Sequence, residues 1–176
     1  MDTTKFAMFR VRSDGFGSEP SEVHAAYSRA KAARAEIIDA VTIVELELNQ
    51  LLCYLLAGRD VARTDLLMNT VLTAEFCTLF QKWRILRSAL LGQEIAEDRK
   101  KQLSRLKELI SMRNAFAHGE LVIDGRTLVV TLKYREGEIK SLVITDLLVS
   151  SVLEKASLSF AWVSSLLHTA QTSSQC

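Results

Sequence analysis

The segment Arg113-Asn114-Ala115-Phe116-Ala117-His118-Gly119 holds the residues best suited to chemistry in this chain. Arginine keeps its charge at any working pH, and its planar fork matches a carboxylate or a phosphate. Histidine takes or gives a proton near neutrality. Asparagine offers a donor and an acceptor that can orient a neighbour or cap a helix-end carbonyl. On a helix turning ~100° per residue, Leu106, Leu109, Ile110, Phe116 and Ala117 lie within about 60° of Arg113, near the middle of an apolar stripe. A guanidinium there is either paired in the core or turned to a cleft, because an unpaired buried charge costs several kcal/mol. The pairing alternative has an obvious partner in Glu45, which sits among Val41, Leu48 and Leu52. His118 stands just before the expected helix stop, Gly119, where the negative end of the helix dipole favours the imidazolium form. In an ideal helix the Arg113 and His118 side chains diverge by about 140°. A long arginine, a distorted helix end or a second subunit is needed to bring them to one site.

Other candidates are plainer. Lys82, Arg84 and Arg87, and the run Arg99-Lys100-Lys101, read as solvated helix faces on which a phosphate backbone could lie. Asp60, Arg63 and Asp65 read as an exposed interhelix loop, and His24 and His168 stand alone. Glycine-rich phosphate loops, GxSxG and HExxH are absent from the sequence, as is the cysteine or histidine spacing of a structural zinc. The expectation is therefore no metal and no cofactor. Cys53, Cys77 and Cys176 are few and widely spaced, which suits reduced thiols, the first two buried in helical patterns.

The elements that must position the motif follow from periodicity. Residues 1–19 show no sustained period and read as a flexible or extended arm. Pro20, beside Ser18 and Ser21, starts a helix. Ile37, Val41, Val44, Leu48, Leu51 and Leu55 carry that helix to 57, with Gly58 as its stop. A second helix over 64–91 rests on Leu72, Phe76, Leu79, Trp83, Leu86 and Leu90, ending at Gly92. A third, over 95–118, carries the motif at its end. The period then changes. Leu121-Val122-Ile123, a two-residue turn at Asp124-Gly125, a β-branched run over 127–134, a turn at Glu136-Gly137 and a strand over 139–144 make a small antiparallel meander within 120–144. A last helix over 146–170 is capped by Thr145 and lined by Val149, Val152, Ala156, Phe160, Val163 and Leu167. The fold class is mostly α: an antiparallel bundle of four main helices, with the meander inserted before the last. One domain is expected over 20–172, and residues 173–176 form a tail.

Beyond Lys155 no Asp, Glu, Lys or Arg remains, so the last helix is either central in the bundle or covered by a second copy. A formal net charge of +1 excludes an overall basic coat, though not a local patch. No signal-peptide pattern opens the chain, and no uncharged apolar run reaches the ~20 residues of a membrane span. The expectation is a cytoplasmic protein without a membrane partner.

The segment Arg113-Asn114-Ala115-Phe116-Ala117-His118-Gly119 resembles the Arg-x4-His signature of the HEPN superfamily, in the form with Asn after Arg and Ala-His-Gly at the end. Val44-Glu45-Leu46-Glu47-Leu48 on a long first helix resembles the opening helix of its members. The resemblance spans roughly 22–170, and its sharp part is seven residues. It implies a helical bundle with metal-independent endoribonuclease activity, in which the RNA 2′-hydroxyl attacks the adjacent phosphate. His118 would move the proton, Arg113 would stabilise the phosphorane and Asn114 would assist. It further implies a homodimer whose two motifs share one cleft, and a toxin or phage-defence role with an antitoxin or nucleotidyltransferase as partner. Some members are binding or scaffolding modules. A non-catalytic interaction or nucleotide-binding domain is therefore the alternative, with Arg113 as a structural ion-pair member.

Overall fold

Proline loses no hydrogen bond in the first turn of a helix, and helix α1 does begin at Pro20. It runs to Ala57 in the computed structural model, which describes residues 10–12, 20–74, 77–90 and 97–173. Ser18 lies outside the described residues. Ile37, Val41, Val44, Leu48, Leu51 and Leu52 of α1 are buried, whereas Leu55 is exposed. Gly58 ends the helix at φ +63, and its N–H reaches Tyr54 O at 2.9 Å. That left-handed conformation is cheap only for glycine.

The expected single helix over 64–91 is broken. Helix α2 spans Val61–Leu66, a π-helical segment follows over Leu67–Leu72, and helix α3 spans Leu79–Leu90. Each start has a local cause. Asp60 accepts from Arg63 N at 3.1 Å, which begins α2 earlier than expected. Thr78 and Gln81 form a reciprocal box, with Thr78 N donating to Gln81 Oε1 at 2.7 Å and Gln81 N to Thr78 Oγ1 at 3.4 Å. Such a box satisfies two amide donors at a new helix start. Leu72, Leu79, Trp83 and Leu86 are nevertheless buried, as their spacing implies. Phe76 and Gly92 lie outside the described residues.

Helix α4 spans Glu97–His118, and the expected meander follows as β2 (Glu120–Asp124), β3 (Val130–Glu136) and β4 (Glu138–Val143), paired antiparallel in that order. The β2–β3 connection is not the two-residue turn. Gly125 lacks the positive φ that such a turn requires, and Leu128 takes it instead, at φ 56. Asp124 Oδ1 accepts from Arg126 N at 2.8 Å and Thr127 N at 3.2 Å, which widens the loop and holds the carboxyl of Asp124 below its ordinary range. Gly137, at φ +74, makes the second reversal as expected. A fourth strand, β1 (Arg10–Arg12), lies parallel to β2, so the part of the arm that is described is extended. Helix α5 spans Asp146–Ser173, with Leu148 N donating to Thr145 Oγ1 at 3.1 Å. Its buried row holds Val152, Ala156, Ser159, Val163 and Leu167, while Phe160 is exposed, contrary to expectation. The chain is thus mostly helical, with five α-helices and a small antiparallel meander before the last of them.

The chain divides into two compact units, Met1–Ile38 with Met112–Ser151, and Asp39–Ser111 with Val152–Cys176. The first holds the motif and the sheet, and the second holds α2, α3 and most of α4 and α5. By length and composition alone, α1 and α5 are apolar enough to cross a bilayer. The sequence expectation concerned uninterrupted uncharged apolar runs, a stricter condition than length and mean hydropathy. Within α1, Glu47 accepts from Ser164 Oγ at 2.6 Å and Glu45 is paired with Lys82, the behaviour of a helix packed in protein. Cys53 and Cys77 are free and buried, and burial pushes the Cys53 thiol up. Cys176 lies outside the described residues.

Candidate functional site at the end of helix α4

Phe116 is fully buried and Ala115 nearly so, and they fix the rotation of the last turn of α4. Arg113 is consequently half-buried at the edge of the apolar stripe, while Asn114 and His118 are exposed. Arg113 Nη1 donates to Asn114 Oδ1 at 3.3 Å, and among the described residues no carboxylate pairs with the guanidinium. The Glu45 partnership is not made. Glu45 is bound by Lys82, whose side chain is only 3% exposed. Lys82, expected on a solvated helix face, is instead buried and paired inside the bundle. Arg84 and Arg87 are exposed, in keeping with a role at the surface.

The helix stays regular to its last residue. Gly119 N bonds Ala115 O at 2.8 Å, continuing the i to i−4 pattern past His118. No distortion of the helix end turns His118 toward Arg113, so the divergence expected from five residues of helix persists.

Arg34 is the residue that sequence reasoning overlooked. The last carbonyls of a helix lack partners within it. Arg34 of α1 supplies them, donating from Nη2 to Ala117 O at 2.6 Å and from Nη1 to Gly119 O at 3.2 Å. Its guanidinium also places a positive charge at the negative end of the helix dipole. The signal was available: Arg34 continues the row of Ala26, Ala30, Ile37 and Val41, so it stands on an apolar face just as Arg113 does.

Gly119 serves as more than a stop. A Cβ at this position would lie 2.5 Å from Ala115 O and 2.6 Å from Leu132 Cδ1, so the residue is needed for close approach rather than for a left-handed turn. Gly119→Ala is expected to cost about 3 kcal/mol, because the backbone carbonyl cannot yield as a side chain would. Urea unfolding would show it, and an unchanged midpoint would mean that the junction between α4 and β2 relaxes freely.

The arrangement can present a guanidinium, an amide and an imidazole from one helix end. Among the described residues, no group of three His, Cys, Asp or Glu side chains converges as a metal site would require. No family model, no curated protein and no solved structure matches the chain.

Proposed function

We propose that this chain is a metal-independent endoribonuclease of HEPN type, working as a homodimer with a composite site. One observation carries the reading: among the described residues the half-buried Arg113 meets no counter-charge, while the carboxylate that would have made it structural is taken by Lys82. A guanidinium that is not taken up by a carboxylate is available to a phosphate, which it can hold in a bidentate fashion.

In the proposed reaction the 2′-oxygen of RNA attacks the adjacent phosphorus and the bond to the 5′-oxygen breaks. A proton leaves the 2′-hydroxyl and another reaches the departing 5′-oxygen. His118 handles proton transfer, Arg113 stabilises the charge on the phosphorane, and Asn114 orients the neighbouring groups. The regular helix end favours a composite site, since the Arg113 and His118 side chains of one copy diverge and two copies supply both directions. Leu158 and Phe160, exposed on the uncharged stretch of α5, suit self-association. A cytoplasmic toxin or phage-defence effector, silenced by an antitoxin or a nucleotidyltransferase, is the biological setting that goes with this activity.

The test is incubation of the purified dimer with labelled RNA in excess chelator, followed by analysis of the ends. The expected products carry a cyclic phosphate and a 5′-hydroxyl. Absence of cleavage across several RNAs, from a dimer free of inhibitor, would turn the reading to a non-catalytic interaction module.

A further inference from the structure

The chain is nearly neutral, but its charge is unevenly placed. Helix α3 and the stretch of α4 from Glu97 to Ser111 carry eight Lys or Arg against three Asp or Glu, while the whole chain nets +1. Both stretches belong to the second compact unit. Helix α3 has no acidic residue at all, and among the described residues only Lys82 of its three cations is neutralised, by Glu45.

Two of these cations are gathered by one aromatic ring. Arg87 Cζ lies 5.7 Å and Lys107 Nζ 5.8 Å from the centroid of Trp83. The indole is fixed in turn, because its Nε1–H donates to Leu103 O at 2.9 Å. Phe80 stacks on the same ring with centroids 5.4 Å apart and remains 42% exposed. Arg87 and Lys107 are themselves exposed, and among the described residues neither is paired with a carboxylate. The fixed indole therefore holds two solvent-facing cations beside an open aromatic face.

We propose that Arg87, Lys107 and Phe80 form a docking site for single-stranded nucleic acid, the cations holding backbone phosphates and Phe80 stacking a base. The cations alone would suit any polyanion. The exposed phenyl ring selects a strand with unstacked bases over a duplex, whose bases are covered, and over an acidic protein, which has none. Arg84, exposed and one turn from both Phe80 and Arg87 on α3, extends the positive field along the strand. The site uses no residue of the Arg113–His118 segment, so it stands even if that segment proves inert.

The experiment uses the full chain carrying His118→Ala, to prevent cleavage, and Trp162→Phe, so that Trp83 is the only indole. A fluorescein-labelled oligouridylate is titrated by anisotropy, and Trp83 emission is followed in parallel with unlabelled strand. Binding should change the Trp83 emission. Arg87→Gln with Lys107→Gln should weaken affinity by about tenfold or more and lower the salt slope by about two, one for each phosphate contact. Phe80→Ala should weaken oligonucleotide binding by about fivefold or more, and leave binding of heparin, which has no bases, unchanged. Lys133→Ala with Arg135→Ala, exposed cations on β3, serves as the charge control and should leave affinity unchanged. The proposal is overturned if the control pair weakens binding as much as the Arg87 and Lys107 pair. Equal losses for heparin and oligonucleotide in Phe80→Ala, or a silent Trp83, would overturn it as well.

Discussion

His118→Ala should lower RNA cleavage by a factor on the order of 10²–10⁴, the range over which a positioned acid or base contributes, and should leave the fold intact. The side chain is exposed, so truncating it opens no cavity, and stability should stay within about 0.5 kcal/mol of the parent. Arg113→Ala should behave alike, losing cleavage while keeping stability, because its hydrogen bond goes to the exposed Asn114 rather than to a buried carboxylate. Mixing the two inactive variants separates the possible site geometries. If each site takes its arginine from one copy and its histidine from the other, a mixed dimer of Arg113→Ala and His118→Ala retains one complete site and about half of the activity. Sites contained within one copy would leave the mixed dimer dead. Single-turnover cleavage in excess chelator is the measurement. An active, folded His118→Ala protein would remove the histidine from the mechanism altogether.

The second large effect concerns stability. Glu45→Gln should destabilise the protein by about 3–5 kcal/mol, as is usual when a buried ion pair loses one member, and lower Tm by on the order of 10 °C. The cause lies with the partner. The Lys82 side chain is 3% exposed against 23% for Glu45, so neutralising Glu45 strands an ammonium that water cannot reach. Replacing both residues by apolar ones of similar volume, Glu45→Leu with Lys82→Met, should recover most of the loss, since neither charge then remains buried. Urea unfolding of the single and double variants gives the comparison. A Glu45→Gln protein as stable as the parent would show that Lys82 finds another acceptor or moves to solvent.

Much of the frame was legible because its signals are local. Pro20, Gly58, His118 with Gly119, and Thr145 mark helix ends through the residue types that ends require, and α1 and α4 follow these marks closely. The meander was legible from β-branched alternation and from Gly137. Where expectations failed, a local cue was outweighed or overlooked. The apolar row through Leu72, Leu79, Trp83 and Leu86 suggested one helix, yet the Thr78–Gln81 box restarts the chain within it. Asp124-Gly125 has the composition of a tight turn, but the Asp124 carboxylate bonds two amides ahead of it and widens the loop. Phe160 fits the apolar row of α5 by spacing, yet Ser159 takes the buried position beside it.

The candidate site was legible only in part. Arg113, Asn114 and His118 announce themselves by type and spacing. Their supports do not, because they come from far along the chain. Glu45 was matched with Arg113 because both stand on apolar stripes, and helical spacing cannot say that Lys82 arrives there instead. A longer stretch of chain still separates Arg34 from the carbonyls it binds, 83 and 85 residues away. Periodicity describes which face a residue shares, and it carries no information on which element will lie across from it.

The clasp made by Arg34 means that the seven-residue motif is not portable. Transplanted onto another helix, or excised as a peptide, it would keep its letters and lose its geometry, with the histidine riding on a fraying end. A change at position 34 would free the Ala117 and Gly119 carbonyls while leaving the motif itself unaltered.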